Sequence, residues 1–372
     1  MKHVLSAALA ALLLAACATD PVALHTRTLT LDTHVDIPLD YMPRTGQDGV
    51  DPGVLTQAQV DLPKMVQGVL DAAFFIIYTP QTPVTEAGHR EARQIADTRY
   101  AAILRLVDTY PDRIALARTA DEVEAIVASG KLAALIGMEN AYPLRATHNS
   151  VSTWAARGVR YVGLTHFGAN AFGDSSGTKD YETDAALTTH GGLSDDGRTL
   201  IGLLNDYGIM VDISHAGDAT ALQAMELSRT PVIASHSGVD GVFDHPRNLS
   251  DALLDALRTN NGVVQLVSLD GYVKAPVEGL PDGVFNANIS DYIDHIDYAV
   301  ARIGIDHVGI ASDFDGGGGI TGWEDATRTP AITAELVRRG YSNADIAKIW
   351  GGNLLRVMRT VEAETMSARL RR

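Results

Sequence analysis

Two short apolar runs, Ile209–Ile213 and Val232–Ala234, each lead into the dipeptide Ser-His, ending at His215 and His236. Between them, Gly217 to Leu227 carries apolar residues at helical spacing. That order describes two parallel strands joined by a helix, with one histidine at the C-terminal end of each strand. Two imidazoles delivered to the same end of a parallel sheet can share a metal ion. The stretch therefore constrains the sheet type and also the end of the sheet where chemistry would gather.

The alternation extends in both directions. Further strands are expected at Thr28–Thr33, Gly68–Tyr78, Leu132–Met138, Arg160–Thr165, Gly262–Ser268 and His307–Ser312. Helices are expected at Leu55–Val66, Thr85–Tyr110, Asp121–Ala128, Ser152–Arg157, Arg198–Tyr207 and Ser290–Ile303. Ser250 is placed to cap another that runs through Leu257, and Ala331–Val361 reads as two helices separated by Gly340. Eight strands alternating with helices, with no linker between them, predict a single (β/α)8 TIM barrel over residues 26–362. A doubly wound open sheet would need a Gly-rich phosphate loop after the first strand, where this sequence has none. The long loops Phe167–Gly197 and Leu269–Asn288 are candidates for walls or a lid.

The N-terminus carries its own signal. Lys2 precedes an apolar run, Val4–Ala16, that is too short to span a bilayer but suits the core of a secretory signal over residues 1–16. The run ends Leu14-Ala15-Ala16-Cys17, which resembles a bacterial lipobox, and Cys17 is the only cysteine. Lipidation of Cys17 is expected, with residues 17–25 as lipidated cysteine and tether, and attachment to the periplasmic side of the outer membrane. A lone cysteine leaves no intrachain disulfide, so the core must hold the fold. The formal charge of −16 argues against nucleic-acid binding. The basic residues at the very end read as a solvated tail, residues 363–372.

In a parallel barrel, functional side chains collect where the strands end. Metal-ligand residues fall there repeatedly: His34 and Asp36, Glu139, His166, His215, His236 and Asp313. The His-x-Asp at 34 and 36 puts both side chains on one face of an extended strand, about 7 Å apart. Two imidazoles, a His-x-Asp pair and a carboxylate make a mixed nitrogen and oxygen set suited to Zn²⁺. Five such ligands exceed the need of one tetrahedral ion, which points to two ions sharing a carboxylate. His89, His190, His245, His295 and His307 are left outside this set. Ser175-Ser176 lies in the long loop after His166 and not at a strand-to-helix elbow, so serine nucleophile chemistry is not expected. Gly316–Gly319 follows Asp313 and Asp315, whose charges would repel phosphate, so the run reads as a flexible loop.

The segments LDTHVDIP, GMEN, GVRYVGLTH, GGLSDDGRTLIGLLNDYGIMVDISHAG, PVIASHSGV, HPRNLSD, DHVGIASDFDG and GGNLLRV resemble the membrane dipeptidases, the renal-dipeptidase family of zinc peptidases. The resemblance runs in order over essentially the whole mature chain. It implies an amidohydrolase-type barrel with two zinc ions, and dipeptide hydrolysis by attack of a zinc-bridging hydroxide. Some members accept a C-terminal D-residue, and some open certain β-lactams; the family often forms dimers. Carried over, His34 and Asp36 would hold one zinc, His215 and His236 the other, and Glu139 would bridge them. His166 would contact the substrate carbonyl oxygen, Arg247 would grip the free carboxylate, and Asp313 would move the proton. Glu139, His166 and Asp313 thus form the implied catalytic set, with Arg247 beside them for binding. Two departures bear on substrate preference: Asn140 stands where a glycine is common, and FGANAFGDSS after His166 lacks the tryptophan of the animal enzymes. The rival readings are a deacylase of N-acyl amino acids and a lipoprotein that binds peptide or metal without turnover.

Overall fold

The computed structural model describes residues 19–43, 48–177, 188–277, 279–281 and 284–370. The signal segment and Cys17 lie outside them. Nine strands are present among these residues: β1 (Leu31–Asp36), β2 (Ala72–Tyr78), β3 (Ile114–Leu116), β4 (Leu132–Glu139), β5 (Val159–Gly163), β6 (Met210–Asp212), β7 (Ile233–Ser237), β8 (Val263–Val267) and β9 (Val308–Ala311). All pair in parallel, in the order β1-β2-β4-β5-β6-β7-β8-β9. The circle is closed beyond β9, where the Asp36 amide donates to the Phe314 carbonyl at 2.9 Å and the Asp313 amide to the His34 carbonyl at 3.0 Å. Helices connect the strands, so the architecture is the expected (β/α)8 barrel.

The strands divide their side chains between two apolar layers. Ala72, Phe74 and Ile76 share a buried cluster with Leu31, Leu135, Tyr161, Met210, Ile233 and Val263 inside the barrel. Ala73, Phe75 and Ile77 point outward to the helices with Ile136, Val162 and Val211. This two-sided burial explains why the strands read as unbroken apolar runs. Leu354, Leu355 and Met358 of the C-terminal helix, Asn353–Leu370, join the inner cluster and floor the barrel where the strands begin.

Register irregularities then aim the chemistry. Between Asp32 and Val35, β1 spends three steps where β2 spends two, from Ala73 to Phe75. The extra residue inverts the alternation: Leu31 faces inward before it, and Val35 faces outward after it. Asp36 therefore pairs with inward-facing Ile76, and His34 shares its side of the strand. The same device recurs in β7, which steps from Ala234 to Ser237 while β8 steps from Val264 to Leu266.

Three differences from the sequence reading have physical causes. β3 is only three residues long and pairs with β4 at Leu132–Ala134, ahead of the point where β5 joins at Ile136. The expected tether contains a helix, Pro21–Arg27: Asp20 caps it through the Val22 and Ala23 amides, and Leu24 and His25 are buried. At the other end, the helix runs through the expected boundary at 362/363 to Leu370, and Thr365 donates to the Asn205 carbonyl at 3.2 Å.

Candidate active site

The strand ends bring Glu139 to the centre of a buried cluster. Its Oε1 lies 3.1 Å from His215 Nε2 and 3.2 Å from His236 Nε2. Oε2 lies 3.7 Å from His34 Nε2, which is in turn 3.8 Å from Asp36 Oδ2 and 3.8 Å from Asp313 Oδ1. His166 Nε2 stands 3.9 Å from Glu139 Oε1. Every one of these side chains is buried. His34 and His236 are carried on β1 and β7 and turned inward by their bulges. Glu139 ends β4, two residues beyond Gly137, where an added Cβ would meet the Tyr161 ring at 2.3 Å. His166, His215 and Asp313 follow β5, β6 and β9, and the last two take left-handed backbone at φ 65° and 59°.

Burial and mutual charge displace the proton affinities. Burial pulls the His34 imidazole down, but the Glu139, Asp313 and Asp36 carboxylates overcome it and raise it to about 9. Burial raises Asp313 to about 8, with neighbouring Asp36 and Glu139 adding to the effect and His34 opposing it. Asp36 rises to about 6 for the same first reason, with Glu139 adding and His34 and Arg99 opposing. Burial likewise pushes Glu139 up, yet the surrounding imidazoles hold it well below the usual carboxylate range. Burial takes His166 down to about 4 despite Glu139, and holds His215 and His236 well below the ordinary imidazole value.

The arrangement fits a cation. Three groups have ligand atoms all within 4.8 Å of one another: His34, Glu139 and His236; Glu139, His166 and His215; His34, Asp36 and Asp313. His34 Nε2 is buried and has no hydrogen-bond partner among the described residues. His215 Nε2 and His236 Nε2 lie 2.9 Å apart, both turned to one carboxylate oxygen. Buried nitrogen lone pairs that converge on carboxylates are costly unless an ion joins them.

A cavity of about 440 Å³ opens onto the cluster, lined also by Tyr78, Phe167, Leu269 and Tyr272. Arg247 is buried beside it: its Nη2 donates to the His236 carbonyl at 3.1 Å, and its guanidinium carbon stands 5.3 Å from the Tyr272 ring centre. Its Nε has no partner among the described residues. All eight barrel residues singled out from the sequence thus converge on one end of the barrel.

Other functional side chains were not anticipated. Arg99, from the middle of helix Glu86–Thr109, lines the cavity, donates to Asp36 Oδ1 at 3.3 Å and to the Ile37 carbonyl at 3.0 Å. Tyr161 and Ser235 contact the Nδ1 atoms of His34 and His236. Nothing in local spacing marks Arg99; Tyr161 is hidden inside an apolar strand. The histidines left out of the set do stand elsewhere: His89 and His307 bind backbone carbonyls of Tyr142 and Gly262, and His295 that of Val273. His245 packs at a tilt against Tyr272 and accepts from the Arg247 amide, so it lies beside Arg247.

Comparison with known proteins agrees with this geometry. The sequence profile of the membrane dipeptidases, peptidase family M19, matches residues 20–372. Dipeptidase verJ of Clonostachys rogersoniana is 34% identical over 320 residues, covering 83% of this chain and 77% of its own. Dipeptidase 3 of Rattus norvegicus is 31% identical over 336 residues, covering 89% of this chain and 65% of its own. Among solved structures, the probable dipeptidase PvdM from Pseudomonas aeruginosa superposes with a TM-score of 0.83 at 33% identity, covering 92% of this chain and 98% of the other. With a matching barrel and a metal-type cluster at its strand ends, the chain belongs to the membrane dipeptidase family, whose members are metallopeptidases that hydrolyse dipeptides.

Proposed function

We propose that the protein is a binuclear zinc dipeptidase in which Glu139 bridges the two ions, His34 and Asp36 complete one site, and His215 and His236 complete the other. The observation that carries this reading is the position of Glu139, with one oxygen between two imidazoles and the other facing His34. Two zinc ions held there would lower the pKa of a shared water and stabilise charge on the scissile carbonyl.

The chain's own groups supply the rest. His166, kept neutral by burial, presents an imidazole toward the substrate carbonyl oxygen and donates as charge develops there. Arg247, whose Nε has no partner among the described residues, grips the free carboxylate of the dipeptide. Asp313 holds a raised proton affinity and carries a proton from the attacking water to the leaving nitrogen. The contacts address a carboxylate and a carbonyl, neither of which reads the hand of the second Cα. The inferred range therefore includes a C-terminal D-residue. We propose further that Cys17 is lipidated and holds the enzyme on the periplasmic side of the outer membrane.

The decisive experiment pairs metal analysis with a panel of L,L and L,D dipeptides, before and after chelation. Two zinc ions per chain, and turnover lost on chelation and restored by zinc, are expected. His215→Ala should lose about half the metal and nearly all activity, by a factor of about 10²–10³ or more. Full metal content with normal turnover in that variant would remove His215 from the site, and no cleavage across the panel by the zinc-loaded protein would overturn the whole reading.

A further inference from the structure

A histidine can ligate through Nε2 only if its proton sits on Nδ1, and the partner of Nδ1 decides where that proton goes. The three histidines assigned to the ions differ in this respect. His34 Nδ1 faces the Tyr161 hydroxyl at 2.9 Å, and that hydroxyl also contacts the Thr33 carbonyl oxygen at 3.1 Å. A phenol has one hydrogen. The carbonyl can only accept, so the hydroxyl gives its hydrogen to Thr33 and offers a lone pair to the ring. The reverse arrangement would set a hydroxyl lone pair against a carbonyl lone pair in a buried site. Tyr161 thereby requires Nδ1–H on His34 and leaves Nε2 as the nitrogen that faces the carboxylates. Nε2 is the buried nitrogen that has no hydrogen-bond partner among the described residues.

His236 is held by different residues to the same effect. Its Nδ1 lies 2.9 Å from Ser235 Oγ, which stands 2.7 Å from Asp212 Oδ2. The other oxygen of Asp212 accepts the amides of Ser214 at 3.0 Å and Ser235 at 2.8 Å, which holds this fully buried carboxylate in place as an acceptor. The serine hydrogen therefore points to Asp212, and Ser235 receives Nδ1–H. His215 has no such device: its Nδ1 is buried without a hydrogen-bond partner among the described residues.

We propose that Tyr161 and the pair Ser235–Asp212 are positioning residues that hold a ring proton of His34 and His236 on Nδ1, so that Nε2 is the nitrogen each ring leaves for an ion. The proposal rests on the zinc assignment above for its consequence, but the tautomers belong to the metal-free chain. The two ions then differ in how they are prepared. The imidazole of the His34 site has its Nδ1 proton fixed in advance, whereas the other site has one such imidazole and one, His215, that takes up its ligating tautomer on binding. Gly137 belongs to the same device, since its missing side chain is what admits the Tyr161 ring.

The test uses full-length protein stripped by chelation, with ¹⁵N-labelled histidine, at about pH 10 so that the His34 ring is neutral, and compares the parent with Tyr161→Phe and Ser235→Ala. Two-bond ¹⁵N–¹H correlation reads each ring's tautomer directly. The parent should show His34 and His236 as Nδ1–H. Tyr161→Phe should shift His34 alone toward Nε2–H, and Ser235→Ala should shift His236 alone. Calorimetric titration with zinc should then show a loss of about 10–100-fold in the affinity of one ion per variant, a different ion in each. A general loss of structure would disturb both rings together, so selectivity separates positioning from misfolding. Unchanged tautomers in both variants, or parent-like affinity for both ions, would overturn the lock. Failure of the parent itself to bind zinc would instead overturn the metal assignment, while the spectra still decide the tautomers.

Discussion

Asn140, His215 and Asp313 all hold left-handed backbone, with φ of 70°, 65° and 59°. Each such residue costs about 1–3 kcal/mol and persists only where its surroundings hold it. At His215 and Asp313 the turn returns a side chain to the barrel axis just after its strand has ended. Asn140 explains its own departure from the family's glycine: the conformation suits glycine, and asparagine is among the side chains that tolerate it best. Here the side chain is also used. Its Nδ2 donates to the Thr79 carbonyl and to Gln81, and its Oδ1 accepts from the Tyr142 amide and from Asn170, on the loop behind His166. Asn140→Gly should relax the backbone yet lower stability by about 1–2 kcal/mol through the lost bonds. Thermal melts should show the loss, and KM should rise more than kcat falls as the loop by His166 loosens. Legibility at this scale followed spacing. His34 and Asp36 could be read from two-residue periodicity, whereas Arg99 reaches Asp36 across 63 positions of sequence, a distance no local pattern encodes.

The helices that follow β9 show how ion pairs tie the outer layer together. Glu335, on helix Pro330–Arg338, accepts from Arg338 and Arg339, and Arg339 reaches Asp294 and Asp297 on helix Ile289–Ile303. The Arg338 hydrogen bond leads in holding the Glu335 carboxyl down at about 2, against an ordinary 4.5. A depressed folded value means the stabilisation is complete above the unfolded value and fades as pH falls toward the folded one. Glu335→Gln should therefore melt lower than the parent at pH 7, by about 0.5–1 kcal/mol. That gap should close between about pH 4.5 and 2, measured on chelator-stripped protein so that ion release does not intrude. Elements were legible where they were long and periodic. Helix Glu86–Thr109 matched its expected bounds to within a residue at each end, but β3, three residues long, carries too little periodicity to register. Helix Pro21–Arg27 did leave a signal, an aspartate followed by proline at the first helical position, which the reading of this stretch as a tether passed over.

For the molecule as a whole, the barrel could be inferred from the alternation of strands and helices, while its working end became specific only through the β-bulges. A bulge adds one residue to a strand and leaves no mark in composition, yet it decides that His34 and His236 face the axis. The result is a barrel whose centre holds Asp36, Glu139 and Asp313 together, an arrangement that repels itself without cations. Stripping the ions should lower Tm, and zinc at about a thousand times its Kd should return about 4 kcal/mol. Calorimetric scans with and without chelator measure this directly. No helix among the described residues is long and apolar enough to cross a membrane; the attachment proposed above is a lipid on Cys17. Cys17→Ser should accordingly move the protein from the membrane to the soluble fraction on cell fractionation.

Helix Pro21–Arg27 docks where the strands begin: His25 bonds the Gly68 carbonyl just ahead of β2, and Thr30 bonds the Val69 carbonyl. Asp20 starts that helix only three residues after Cys17, about 10 Å of extended chain. A lipid on Cys17 would seat the molecule floor-down on the bilayer, leaving the catalytic mouth at the far pole, roughly a strand's length of about 20 Å or more away. Traffic to the site would then come from open fluid, with no lateral path along the headgroups. An anchored molecule would sweep the space above the membrane for small peptides.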